Sequence, residues 1–163
     1  MVQSWTNSDG LYIKYGPDKA TAKKAGEFVK TGDVREVFLT LTLSELTETE
    51  TILDDTCFLP AGARIQEIET VTHTAAATGV AVDLGLIRMD RSTELDYDGL
   101  LAAIPTASMN AAGEKNIFSD NTTYDGALVG TTLAYNGYIS ASRTTSTAFT
   151  AGVIRVKIRY YMP

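Results

Sequence analysis

Hydrophobic residues recur along this chain at every second position far more often than at every third or fourth, which is the period of a strand with one buried face. In REVFLTLTLSEL (35–46), Val37, Leu39, Leu41 and Leu43 fall on one side and Phe38, Thr40, Thr42 and Ser44 on the other. The segment GVIRVKIRYY (152–161) repeats the pattern, with Ile154, Val156, Ile158 and Tyr160 inward and Arg155, Lys157, Arg159 and Tyr161 outward. Such alternation suits an antiparallel sheet wetted on one side.

Two further segments depart from strict alternation in informative ways. ARIQEIETVTHT (63–74) spaces Ile65, Ile68 and Val71 by three, so a strand there requires a bulge near Glu67. GVAVDLGLIRMD (79–90) is apolar in both registers and predicts a strand covered on both faces. Shorter strands are expected at Leu11 to Tyr15, Gly26 to Lys30, Cys57 to Leu59 and Tyr135 to Ser142, giving about eight in all. In YDGLLAAIPTASM (97–109), Leu100, Leu101 and Ile104 cluster at helical spacing, but Gly99 and Pro105 leave room for only one short helix. Asn110 to Asp125 and Ser142 to Thr150 read as exposed loops. The pattern predicts an all-β fold: an antiparallel β-sandwich, jelly-roll-like, in a single domain spanning 1–163, with residues 1–16 as an amino-terminal arm.

Composition narrows the function. A net charge of −6 works against nucleic-acid binding, which depends on displacing counterions with clustered Lys and Arg. No apolar run is long enough to cross a bilayer as a helix. MVQSWTNSDG lacks the basic start and apolar stretch of a secretory signal, so synthesis and folding in a cytoplasm are expected. Lys14, Lys19, Lys23, Lys24 and Lys30 crowd the first thirty residues, and Glu45, Glu48, Glu50, Asp54 and Asp55 crowd a later connection; both runs read as solvated loops.

The candidate chemistry is sparse. ELDYDG (94–99) has the alternating carboxylates and glycine that open a calcium-binding loop, but the twelfth position from Glu94 is Pro105, which has no side-chain oxygen to donate. The simpler reading is a strand with Leu95 and Tyr97 inward and Glu94, Asp96 and Asp98 outward, ending in an Asp-Gly turn. A weaker calcium site drawing on Asp90, Asp96 or Asp98 with distant partners stays open. One histidine, His73, and one cysteine, Cys57, exclude the common structural zinc sets within one chain and any internal disulfide. His73 lies in VTHTAA without a nucleophile elbow or a glycine-rich oxyanion loop. Asp54 and Asp55 are adjacent and, on a strand, point to opposite faces. No glycine motif of phosphate-binding spacing occurs. No catalytic residue, cofactor or metal site is therefore assigned, and the protein is not expected to be an enzyme.

Attention then falls on surfaces. Outward positions on the strands carry Phe38, Thr40, Thr42, Tyr135 and Tyr138, a half-apolar character suited to subunit packing. Trp5, Leu11, Tyr12 and Ile13 form an apolar stretch near one chain end and are the candidate partner-binding residues. A strand there completes its own sheet or that of a neighbouring subunit.

GLYIKYGPDKATAKKAGEF, GLIRMDRSTELDYDG and the closing TAGVIRVKIRYYMP together resemble the small β-rich head decoration, or cement, proteins of tailed bacteriophages. The resemblance implies a virion structural protein bound to the outer surface of a phage head. It also implies a homotrimer that clamps neighbouring copies of the major capsid protein, with neither nucleic acid nor membrane as partner. Two rival readings stand beside it. A carbohydrate- or receptor-binding module would need an aromatic platform, and a hydrolase would need His73 in a cleft with Ser, Asp or Glu.

Overall fold

The computed structural model describes residues 3–6, 12–15, 34–90, 94–120 and 122–162. The chain divides into two compact units, Met1–Lys30 and Thr31–Pro163. In the first, β1 (Gln3–Thr6) and β2 (Tyr12–Tyr15) pair as an antiparallel hairpin. The expected strand at Gly26 to Lys30 lies outside the described residues.

The second unit is a sandwich of two antiparallel sheets. Its strands are β3 (Val34–Thr42), β4 (Thr51–Ile52), β5 (Phe58–Leu59), β6 (Arg64–Thr78), β7 (Ala81–Arg88), β8 (Glu94–Pro105), β9 (Lys115–Ser119), β10 (Gly137–Arg143) and β11 (Phe149–Tyr161). One sheet runs β3-β11-β6-β9; the other runs β4-β10-β7-β8, with β5 also on β10. The pairings are nested: β3 lies on β11, β4 and β5 on β10, β6 on β9 and β7 on β8. The unit is thus one long antiparallel ribbon, bent at the β7–β8 connection and folded over on itself.

Alternation places the core. Leu39 and Leu41 of β3 and Ile154, Val156 and Ile158 of β11 point inward from the first sheet, against Val82, Leu84 and Leu86 of β7 and Ile139 and Ala141 of β10. Each fully buried aliphatic side chain contributes about 1.5–3 kcal/mol relative to exposure. On β7 all six residues from Ala81 to Leu86 are buried, as the double apolar register predicts.

The bulge in β6 is where the sequence puts it. Arg159 faces Glu67 and Tyr160 faces Ile65, so Gln66 is the extra residue. Ile65 and Ile68 both point inward as a result. Beyond the bulge Thr70 and Thr72 take the inward positions, so Val71, spaced as though it belonged inside, lies half-exposed on the outer face with Glu69 and His73.

The helix expected around Leu100 is a strand. β8 continues through Gly99 to Pro105, and only Thr106–Met109 turns, as a single 3-10 turn. Val82 faces Ile104 and Leu84 faces Leu101, which leaves Ala102 and Ala103 opposite Asp83 alone. One extra residue in a period of two gives the spacing of three that reads as helical. Ala103 takes a φ of 51°, and its N–H donates to Asp83 Oδ1 at 2.7 Å. Nor is Asp98-Gly99 a turn: between the Leu84–Leu101 and Leu86–Asp96 pairs, β8 carries three more residues than β7 and arches over Gly85. A Cβ on Gly85 would stand 2.2 Å from the carbonyl oxygen of Asp96. Tyr97, expected inside, is exposed. β9 occupies part of a stretch expected to be loop, contributing only Phe118 to the core.

Candidate interaction surfaces

Within the hairpin, Trp5 stands directly opposite Ile13 and Thr6 opposite Tyr12. Three of the four candidate partner-binding residues, Trp5, Tyr12 and Ile13, are therefore brought into one two-stranded ribbon. Leu11 lies outside the described residues.

On the sandwich, the outer face of the β3-β11-β6-β9 sheet is built in rows by its register. One row reads Glu36, Arg159, Glu67 and Ser119; the next Phe38, Lys157, Glu69 and Ile117; the next Thr40, Arg155, Val71 and Lys115. Opposite charges thus meet across strands. Arg159 donates from Nε and Nη2 to Glu36 Oε1 at 3.0 and 2.9 Å, and from Nη1 to Glu67 Oε1 at 2.6 Å. Glu69 receives Lys157 at 2.8 Å and Lys115 at 3.1 Å. The Lys157 hydrogen bond in particular holds the Glu69 carboxyl below its usual range, against the opposing effect of burial. Hydrogen bonding to Glu36 is the first reason the Arg159 guanidinium is held more firmly protonated.

Apolar groups flank these ion pairs. Phe38 is 59% and Ile117 52% exposed, one on each edge strand of the sheet. A hollow of about 250 Å³ is lined by Phe38, Val71, His73 and Arg155 among others. Arg155 is exposed and, among the described residues, has no ion-pair partner.

The second sheet carries acidic groups around a depression. This open depression of about 640 Å³ is lined by Ile52, Leu53 and Ile87 together with Glu50, Thr51, Asp54 and Asp55. Asp54 Oδ1 accepts from the backbone N–H and the hydroxyl of Thr56 at 2.8 and 2.6 Å, and these bonds keep its carboxyl ionised to lower pH than usual. Burial, and then the Asp54 charge, push the Cys57 thiol up, so it is a poor nucleophile. Asp83 is only 5% exposed. Burial raises its pKa first, partly offset by the Ala103 hydrogen bond, with the charges of Asp98 and Glu50 adding to the rise. The charge of Asp98 is also the main reason the Tyr97 phenol is raised.

The remaining candidates do not converge on chemistry. His73 sits on the open outer face of β6, beside Val71 and Arg155. Among the described residues, no three His, Cys, Asp or Glu side chains are grouped to hold a metal ion, Asp96 and Asp98 included. The aromatic side chains on the second sheet do not make a clear platform: Phe58 pairs with Tyr138 across β5 and β10, while Arg88 stacks 3.6 Å over the ring of Tyr135 and covers one of its faces. Among the described residues, no helix is long and apolar enough to cross a membrane.

Phe38 is legible in the sequence as an outward aromatic on a strand. The place of Ile117 at the other end of the same row is not, because KNIFS has too short an alternation to declare a strand. The acid-lined depression joins residues 50–55 to Ile87, a juxtaposition that only the fold creates.

No protein-family model and no curated protein matches the chain. Solved structures do share its fold. It is similar to a chain of the cyanophage Pam1 capsid asymmetric unit, at 17% identity and a TM-score of 0.51, over 90% of this chain and 97% of that one. A chain of the capsid of Ralstonia phage GP4 is similar at 14% identity and a TM-score of 0.56, over 86% and 92% of the two chains. A third, from the acidic stable capsid structure of Helicobacter pylori bacteriophage KHP30, is similar at 12% identity and a TM-score of 0.52, over 82% and 90%. At these identities the likeness is one of fold.

Proposed function

We propose that this protein is a structural component of a phage virion, a decoration or cement protein that binds the outer surface of the head as a homotrimer and braces neighbouring copies of the major capsid protein. The observation that carries the reading is the extent of the fold likeness. Three chains from phage capsids each match over at least 90% of their own length, so the likeness extends over nearly the whole of each of those chains. The nested strand order is read as a jelly roll, a rigid scaffold whose outer faces are free for contacts. The role is structural, in keeping with surfaces made of ion-paired rows and exposed aromatics. In a symmetric shell each contact repeats, so modest individual contacts add up to durable attachment.

The hairpin residues Trp5, Tyr12 and Ile13, with Leu11, are proposed to contribute to the shell or subunit contact. Phage heads lacking this protein, mixed with the purified chain and sedimented, are expected to carry it in fixed stoichiometry and to release DNA at a higher temperature. The chain without residues 1–16 is expected to bind more weakly. Failure of the full chain to sediment with heads overturns the decoration role. Unchanged binding by the truncated chain removes the arm from the contact.

A further inference from the structure

We propose that copies of this chain associate face to back, with Phe38 and Arg155 of one copy seated in the acid-lined depression at Ile52 and Ile87 of the next. This deepens the self-association in the reading above and rests on it. The sandwich, residues 31–163, has seventeen acidic against nine basic side chains. Five of those nine, Arg64, Lys115, Arg155, Lys157 and Arg159, stand at outward positions of the first sheet, against Glu36, Glu67 and Glu69. That face thus carries excess positive charge on a strongly negative unit. Lys115, Lys157 and Arg159 are held in ion pairs within the sheet; Arg155, set among them, has no ion-pair partner among the described residues.

Arg155 does not stand alone. On the adjoining edge strand Phe38 is 59% exposed, and the two share one hollow with Val71. An exposed aromatic beside an uncommitted guanidinium is the pairing that dominates protein interfaces, because it offers apolar area and a directional charge together. Such a patch calls for a counterpart that is apolar and anionic together. The depression on the second sheet has that chemistry: its lining joins Ile52 and Ile87 to Glu50 and to an Asp54 whose hydrogen bonds keep it ionised. About 640 Å³ is ample room for both side chains. The two patches lie on different sheets, so the contact is heterologous, the kind that builds closed rings when the rotation between copies closes.

The test uses the full chain, with mass by light scattering during size exclusion over a concentration series. Arg155→Glu, Phe38→Ala and Glu50→Lys alter exposed or half-exposed side chains, and unchanged circular dichroism shows that each folds. Each is expected to raise the dissociation constant of the oligomer about tenfold or more, and 0.5 M NaCl is expected to weaken the wild-type oligomer. Arg155→Glu combined with Glu50→Lys in one chain reverses both partners and is expected to recover most of the loss. An oligomer indifferent to all three single changes, or a double variant no better than the singles, overturns the face-to-back contact while leaving self-association intact. A wild-type chain that stays monomeric throughout overturns both the contact and the trimer, whereas decoration of heads is judged separately by sedimentation.

Discussion

Asp83 and Glu69 are both carboxylates on β-strands, yet their surroundings oppose each other. Asp83 is buried near Asp98 and Glu50, and its pKa is raised, so its charge costs stability once the pH exceeds the ordinary carboxylate value. That cost is absent in acid and complete above the raised folded pKa. Asp83→Asn keeps an oxygen for the Ala103 N–H and removes the charge; it is expected to raise the melting temperature by a few degrees at pH 7 and to lose that advantage near pH 3.5. Glu69 is lowered by Lys157 and Lys115, so its contribution is present at neutral pH and lost as the pH falls through the lowered folded value. Glu69→Gln is expected to melt below wild type at pH 7, with the gap closing in acid. Calorimetry on the two variants at both pH values checks both signs, and parallel behaviour of the two would contradict the assignment.

The strands show how far alternation carries and where it stops. In β3 and β11 the side facing the core follows from counting by two, and the structure agrees from Val37 to Leu41 and from Ile154 to Tyr160. Trouble begins at bulges. Ile65 and Ile68 are three apart because Gln66 is inserted, and Leu101 and Ile104 are three apart because β8 carries an extra residue opposite Asp83. The two cases are physically alike, but the first stands among Thr and Ile, good strand formers, and the second among Leu and Ala, good helix formers, so local propensity pointed the wrong way until pairing with β7 decided. The candidate surface was half legible for the same reason. Phe38 and Arg155 follow from alternation, whereas their being cross-strand neighbours of Val71 and Lys157 needs the register. The arch of β8 over β7 depends on Gly85, where a Cβ would lie 2.3 Å from the carbonyl carbon of Tyr97. The obstruction is backbone, which cannot swing aside as a side chain can. Gly85→Ala is therefore expected to cost at least the 1–3 kcal/mol of ordinary overpacking, about 3 kcal/mol here, read as a lowered urea midpoint.

At the scale of the molecule, charge is divided between the two units. Met1–Lys30 carries five lysines against three acidic residues, while Thr31–Pro163 carries an excess of eight acidic residues. Among the described residues, the buried hydrophobic core of the sandwich runs from Leu39 to Tyr160. A chain of this size buries enough surface to fold without disulfide or metal. Removing residues 1–30 is accordingly expected to leave a folded sandwich, with the strand signature of its circular dichroism kept and the urea midpoint within about 1 kcal/mol of the full chain's stability. What the truncation changes is the electrostatic contrast. The full chain presents a basic segment and an acidic body to any symmetric lattice of partners, so its attachment should weaken steeply with salt, while the truncated chain, acidic throughout, should show a weaker attachment with a shallower salt dependence. Sedimentation with heads across a salt series separates the two slopes. Parallel slopes would mean that the lysines of the first unit face solvent in the assembled shell, and that attachment runs through the ion-paired faces of the sandwich alone.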